Sequence, residues 1–175
     1  AEVDYPLVNP YCFEPPIAPH IAAGQSGVNI ELAVIRDRAR ELAARADFLV
    51  VEGVGGWRVP LGPALSVSDL PLELGLPVVL VVGLKLGCIN HALLTAESVR
   101  ASGNRLVGWI ANQMAPDMLV RDENLATLGA LLGAPCLGVI PWMTPPEPER
   151  LAGLLTLDGL IEPGSNVNSG MARTR

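Results

Sequence analysis

Lysine is almost missing from this chain: the twelve basic residues among its 175 are one lysine, Lys85, and eleven arginines. Histidine (His20, His91) and cysteine (Cys12, Cys88, Cys136) are also scarce. Two histidines and no clustered cysteines exclude the usual zinc ligand sets. Three scattered cysteines without a C-x-x-C exclude a disulfide framework and point to a reducing cytoplasm. Two Phe, three Trp and two Tyr cannot build a core, so Leu, Val, Ile and Ala must. Eighteen acidic against twelve basic side chains give a net charge of −6, which argues against a nonspecific grip on nucleic acid or an anionic membrane. No apolar stretch reaches the ~18–20 residues of a membrane span. The longest, around residues 131–143, is interrupted by Pro135 and Pro141. No signal-peptide pattern opens the chain, which begins on Ala1 rather than Met. Neither G-x-x-x-x-G-K-[ST] nor G-x-G-x-x-G occurs.

What is present is apolar and patterned. Half the residues are hydrophobic, 17% are charged and the mean hydropathy is +0.38, so wholesale disorder is excluded. Residues 1–160 read as a single α/β domain, and the polar, unpatterned stretch 161–175 as a disordered tail. Prolines and glycines crowd residues 5–27 and predict an irregular loop. Asn29 stands in N-cap position for a helix to about Ala46, with Leu32, Ile35, Ala39, Leu42 and Ala43 on one face. Four continuous apolar runs follow, at Phe48–Val51, Pro77–Gly83, Leu106–Ala111 and Cys136–Ile140. Helices are expected after the last three, over about 89–102, 118–132 and 148–157. Runs without alternation suit strands covered on both faces. Strand and helix alternate, which predicts a doubly wound, mostly parallel sheet with helices on both faces.

In such folds ligands bind beyond the carboxyl ends of the strands. The residues following each run are therefore the candidates. Glu52-Gly53-Val54-Gly55-Gly56-Trp57 follows the first. A carboxylate beside a glycine turn suits Mg²⁺ bridging nucleotide phosphates, or is a solvated loop acid. Lys85 follows the second run; its ammonium suits phosphate or carbamate charge, although an arginine bias alone explains why lysine is rare. Gly87-Cys88-Ile89-Asn90 opens a helix whose free N–H groups suit a carboxylate or phosphate. Cys88 reads as a buried small hydrophobe, since nothing orients a Cys–His pair with His91. Asn112 ends the third run as an adenine-edge partner or a turn former. Trp142, between Pro141 and Met143, flanks a base or caps the core.

Two blocks, Val51-Glu52-Gly53-Val54-Gly55-Gly56-Trp57 and Val82-Gly83-Leu84-Lys85-Leu86-Gly87-Cys88-Ile89-Asn90-His91-Ala92, resemble the most characteristic segments of the dethiobiotin synthetase family. Asn9-Pro10-Tyr11, Ala18-Pro19-His20, Gly108-Trp109-Ile110-Ala111-Asn112 and Gly138-Val139-Ile140-Pro141-Trp142 follow the family's order, so the resemblance covers about residues 5–157. It implies a P-loop-NTPase-like fold and a homodimeric, ATP- and Mg²⁺-dependent ligase that turns 7,8-diaminononanoate and CO₂ into dethiobiotin. It implies Glu52 as a Mg²⁺ ligand and Glu52, Gly53, Val54 and Gly55 against the nucleotide. It places Asn112, Pro141, Trp142 and Met143 at the adenine end. It assigns the substrate carboxylate to Gly87, Cys88, Ile89 and Asn90, reaching the neighbouring subunit's site; Lys85, from its place after the second run, is the catalytic candidate.

The chain departs from the family in three ways. The family's phosphate loop and a second lysine on the following strand would precede residue 1, so the chain as given is expected not to turn over ATP alone. Gln113 stands where the family often has Asp, and the acid expected after Trp142 could be Glu147 or Glu149. Two other readings compete with the ligase. One is a phosphate-loop-less paralogue serving as a substrate-binding or dimerisation module. The other is a corrin-synthesis or partitioning relative, which would not be expected to carry Gly87–Ala92.

Overall fold

A computed structural model describes residues 3–157 and 160, divided between two compact units, Ala1–Leu76 and Pro77–Arg175. The tail read as disordered lies outside the described residues.

The first unit is helical with a small hairpin. Helices α1 (Tyr5–Val8) and α2 (Pro19–Gln25) occupy the stretch expected to be irregular. Each carries proline in its first turn, where the missing N–H costs nothing and the fixed φ is already helical. Helix α3 (Leu32–Ala43) starts after Glu31 rather than Asn29. The Tyr11 hydroxyl accepts the Glu31 N–H at 3.1 Å, a capping contact from twenty residues away. A short hairpin, β1 (Pro60–Gly62) and β2 (Leu65–Ser66), then leads through a 3₁₀ turn at Val67–Asp69 into α4 (Leu70–Leu74). Asp69 accepts the Ser66 N–H at 2.7 Å and closes that turn's capping box. Leu7, Ala22, Ala23, Ala39, Leu61, Val67 and Leu74 are this unit's buried apolar residues. Arg36 on α3 meets Glu73 on α4 at 2.6 Å, and that carboxylate, with Asp37, holds the guanidinium charged.

The expected first strand is not formed. Phe48–Val51 adopts no ladder, and Phe48, Val50, Val51 and Val54 are exposed. A run of apolar residues becomes a strand only when another strand takes up its backbone groups, and none among the described residues does.

The second unit follows the sequence pattern closely. It runs β3 (Val78–Leu84), α5 (Cys88–Ala101), β4 (Leu106–Gln113), α6 (Arg121–Leu131), β5 (Cys136–Ile140) and α7 (Pro148–Ala152). Helix α6 starts later than the pattern suggests, behind Val120 at φ +49°, and α7 ends five residues early. The strands form one parallel sheet in the order β3-β4-β5. Parallel neighbours need long crossovers, which α5 and α6 supply. Val82, Leu84, Trp109 and Ala111 pack with Cys88, Ala92 and Ala96 of α5, Leu128 of α6 and Leu132 beyond it, forming the core on one sheet face. The Trp109 indole N–H donates to the Ala134 carbonyl at 3.1 Å. Val79 and Val81 point to the opposite face and are exposed. At β5, the Thr156 N–H donates to Leu137 and Leu155 bridges Gly138, so that edge is covered, whereas no strand among the described residues pairs along the outer edge of β3.

Candidate functional site

Register fixes what reaches the carboxyl ends of the strands. Gly83 lies beside Asn112, Asn112 beside Ile140, and Leu84 beside Gln113. Side chains alternate along a strand, so Val81, Ile110, Asn112 and Ile140 share the face away from the core. Over that face is a cavity of about 500 Å³, walled further by Gln113, Met114, Pro141, Trp142, Met143, Pro146, Leu151 and Leu155. The structure thus brings together Asn112, Pro141, Trp142 and Met143, all expected at an adenine end. Trp142 is 47% exposed and lines the cavity rather than the core. No side chain lining it among the described residues is charged, and its polar groups are mainly the side-chain amides of Asn112 and Gln113.

The apolar walls contributed by Val81, Ile110, Met114, Leu151 and Leu155 were not among the sequence candidates. The i, i+2 spacing of Ile110 and Asn112 is the signal that would have found part of them. The Gln113 amide nitrogen donates to the carbonyls of Ala115 and Pro116, each at 2.9 Å. Glu147, the N-cap of α7, and Glu149, in its first turn, are exposed and do not line the cavity.

The other candidates in this unit run from the end of β3 into the first turn of α5. Lys85 is exposed, and Gly87, at φ +89°, is the N-cap of α5. The Cys88 N–H donates to the Lys85 carbonyl and the His91 N–H to Gly87. The amides of Ile89 and Asn90 are the first-turn donors left to meet an anion. The Cys88 side chain is buried in the core, as a small hydrophobe would be.

Glu52, Gly53, Val54 and Gly55 belong to the first unit. All four are exposed on a loop that turns through Gly55 (φ +69°) and Gly56 (φ +125°), conformations that glycine alone reaches cheaply. The loop ends at Trp57, whose indole nitrogen is buried without a hydrogen-bond partner among the described residues. Among those residues no group of three or more His, Cys, Asp or Glu could hold a metal. A single exposed carboxylate oxygen donor does fit Mg²⁺, which takes one or two protein carboxylates and fills its shell with phosphate oxygens and water. The orphan Trp57 donor in the same loop fits an oxygen-rich ligand nearby. Among the described residues no helix is long and apolar enough to cross a membrane.

A family model described as an AAA domain matches residues 1–150. The ATP-dependent dethiobiotin synthetase BioD of Aromatoleum aromaticum is 53% identical over 152 residues, which is 87% of this chain and 68% of that protein. The protein of the same name from Pseudomonas paraeruginosa is 54% identical over 154 residues, with the same shares covered. The parallel sheet, its crossover helices and the matched model together give an α/β, P-loop-NTPase-like fold. With the two sequence blocks in place and identity above half, the chain belongs to the ATP-dependent dethiobiotin synthetase family.

Proposed function

We propose that this chain acts in biotin biosynthesis as an ATP- and Mg²⁺-dependent ring-closing ligase, converting 7,8-diaminononanoate and CO₂ into dethiobiotin with release of ADP and phosphate. The observation that carries the reading is the uncharged cavity where Asn112, Pro141, Trp142 and Met143 converge at the carboxyl ends of parallel strands. One substrate amine takes up CO₂ as a carbamate and loses a proton. The γ-phosphoryl group passes to a carbamate oxygen. The second amine then attacks the carbonyl carbon, and the C–O bond to phosphate breaks as the ureido ring closes.

The chain's own residues contribute mainly position and charge, as is general in phosphoryl transfer. Asn112 presents its amide to the base, and Pro141, Trp142 and Met143 wall the ring in. Glu52 is the residue that would hold Mg²⁺, whose contribution is to neutralise and orient the phosphates. Lys85, on a mobile four-carbon stem, suits the developing charge on carbamate or phosphate. The Ile89 and Asn90 amides at the start of α5 suit the substrate carboxylate. Leu86, fully exposed just before α5, and Leu94, more than half exposed midway along it, give this helix an apolar rim. Such a rim supports a homodimer in which this helix end serves the neighbouring subunit's site. Three free thiols, two of them exposed, suit a cytoplasmic location.

Deleting the encoding gene tests the reading. The strain should require biotin, and dethiobiotin should restore growth where 7,8-diaminononanoate does not. Growth without either supplement, or rescue by 7,8-diaminononanoate, would overturn it.

A further inference from the structure

We infer that Gln113 is a positioning residue that sets the shape of the base-binding end of the cavity, acting through Met114 and Asn112. The inference rests on the nucleotide reading of that cavity. Gln113 is the last residue of β4 and is partly buried. Both hydrogens of its amide nitrogen are spent on its own chain, at 2.9 Å from the Ala115 carbonyl and 2.9 Å from the Pro116 carbonyl. Two carbonyls on one nitrogen also fix which end of the amide is which, since an oxygen there would meet two acceptors. The side chain therefore has no donor left for a base. What it does is fold residues 113–116 back on the end of the strand.

That fold places Met114. A Cβ on Gly83 would stand 3.3 Å from the Met114 Cγ and 3.4 Å from its Sδ, so the methionine lies over the one β3 position with no side chain. The Asn112 amide nitrogen reaches the same sulfur at 3.7 Å. Asn112, Gln113 and Met114 all line the cavity. With no charged group there to anchor a base, its grip depends on how these neutral surfaces are held. Removing the clamp frees Met114 and, with it, the orientation of Asn112. A glutamate, which keeps the reach of Gln113, would reverse the interaction, because an ionised carboxylate facing two carbonyl oxygens repels them, while a protonated one donates to one of them; the family's aspartate is one methylene shorter and does not reach as far along residues 115–116.

The test uses the intrinsic fluorescence of Trp142, assigned by its loss in Trp142→Phe, as MgATP is titrated into the 175-residue chain at pH 8 and pH 5.5. Dividing each variant's Kd by the wild-type Kd at the same pH removes the titration of the nucleotide itself. Gln113→Glu should weaken binding about tenfold at pH 8, the worth of one to two hydrogen bonds, and recover part of it at pH 5.5, where a carboxyl facing two carbonyl oxygens begins to protonate. Gln113→Met, similar in length but without a donor, should be weakened equally at both. A pH-dependent recovery in the one variant and not the other is an effect that general loosening of the fold would not produce. Variants that bind as wild type at both pH values, or that weaken without recovery in Gln113→Glu, would overturn the clamp and leave the nucleotide reading standing. A wild-type chain whose Trp142 does not respond to MgATP would overturn the nucleotide reading and the clamp with it.

Discussion

Gly138 ties the stability of the sheet to the shape of the cavity, and adding one methyl group there should disturb both. A Cβ at this position would lie 2.3 Å from the Leu154 carbonyl oxygen and 2.8 Å from the Leu155 Cδ2. Backbone cannot yield as a side-chain tip can, so residues 154–156 would have to move off β5 by about an ångström. The movement breaks the 2.8 Å bond from the Thr156 N–H to Leu137 and the bridge between Gly138 and Leu155. One hydrogen bond at about 0.5–1.5 kcal/mol, with partial exposure of Leu155 at about 1 kcal/mol, comes to roughly 1.5–2.5 kcal/mol. For a chain of this length that corresponds to a fall in Tm of about 3–10 °C. Leu155 also lines the cavity, so the MgATP response of Trp142 should weaken in the same variant. Calorimetry and the fluorescence titration on Gly138→Ala check both. A melt within about 1 °C of wild type, with unchanged binding, would refute the claim that this close approach holds the cavity wall.

Three further outcomes are expected. Gly129 lies inside α6 with open space, nothing within 4 Å, where a methyl group would stand, so Gly129→Ala should stabilise the chain by about 0.5–1 kcal/mol in urea unfolding. Trp109 is buried and donates to Ala134. Trp109→Phe should cost about 2–4 kcal/mol, combining a cavity with an unpartnered carbonyl, again read by urea unfolding. Cys12 and Cys136 are exposed while Cys88 is buried, so a thiol reagent should titrate two sulfhydryls in the native chain and the third only in denaturant.

The sheet of the second unit was legible because its strands are continuous apolar runs set between helices, and β5 falls on Cys136–Ile140 as read. The run Phe48–Val51 carries the same signal and forms no strand, because composition describes a strand's faces and says nothing about who occupies its edges. Helices α1 and α2 were hidden by their prolines, which mark loops in bulk but start helices at first-turn positions. The start of α3 depends on Tyr11, a contact that no local pattern contains. The cavity was half legible. Asn112 and Pro141–Met143 follow strands, where ligands gather, whereas Leu151 and Leu155 join them from a segment whose approach is set by the missing side chain of Gly138.

The two borders of the sheet differ in what they invite. On the β5 side, Leu155 and Thr156 occupy the hydrogen-bonding groups, so the ladder is terminated. On the β3 side, no strand among the described residues takes up the outward N–H and C=O groups of Val78–Leu84, and the strand holds neither a proline nor a charge to discourage a neighbour. Growth of the ladder therefore has a direction. Among the described residues this border is the one on which a further strand, foreign or identical, would add, and Val79→Lys is the single change that would blunt it without touching the covered face or the cavity.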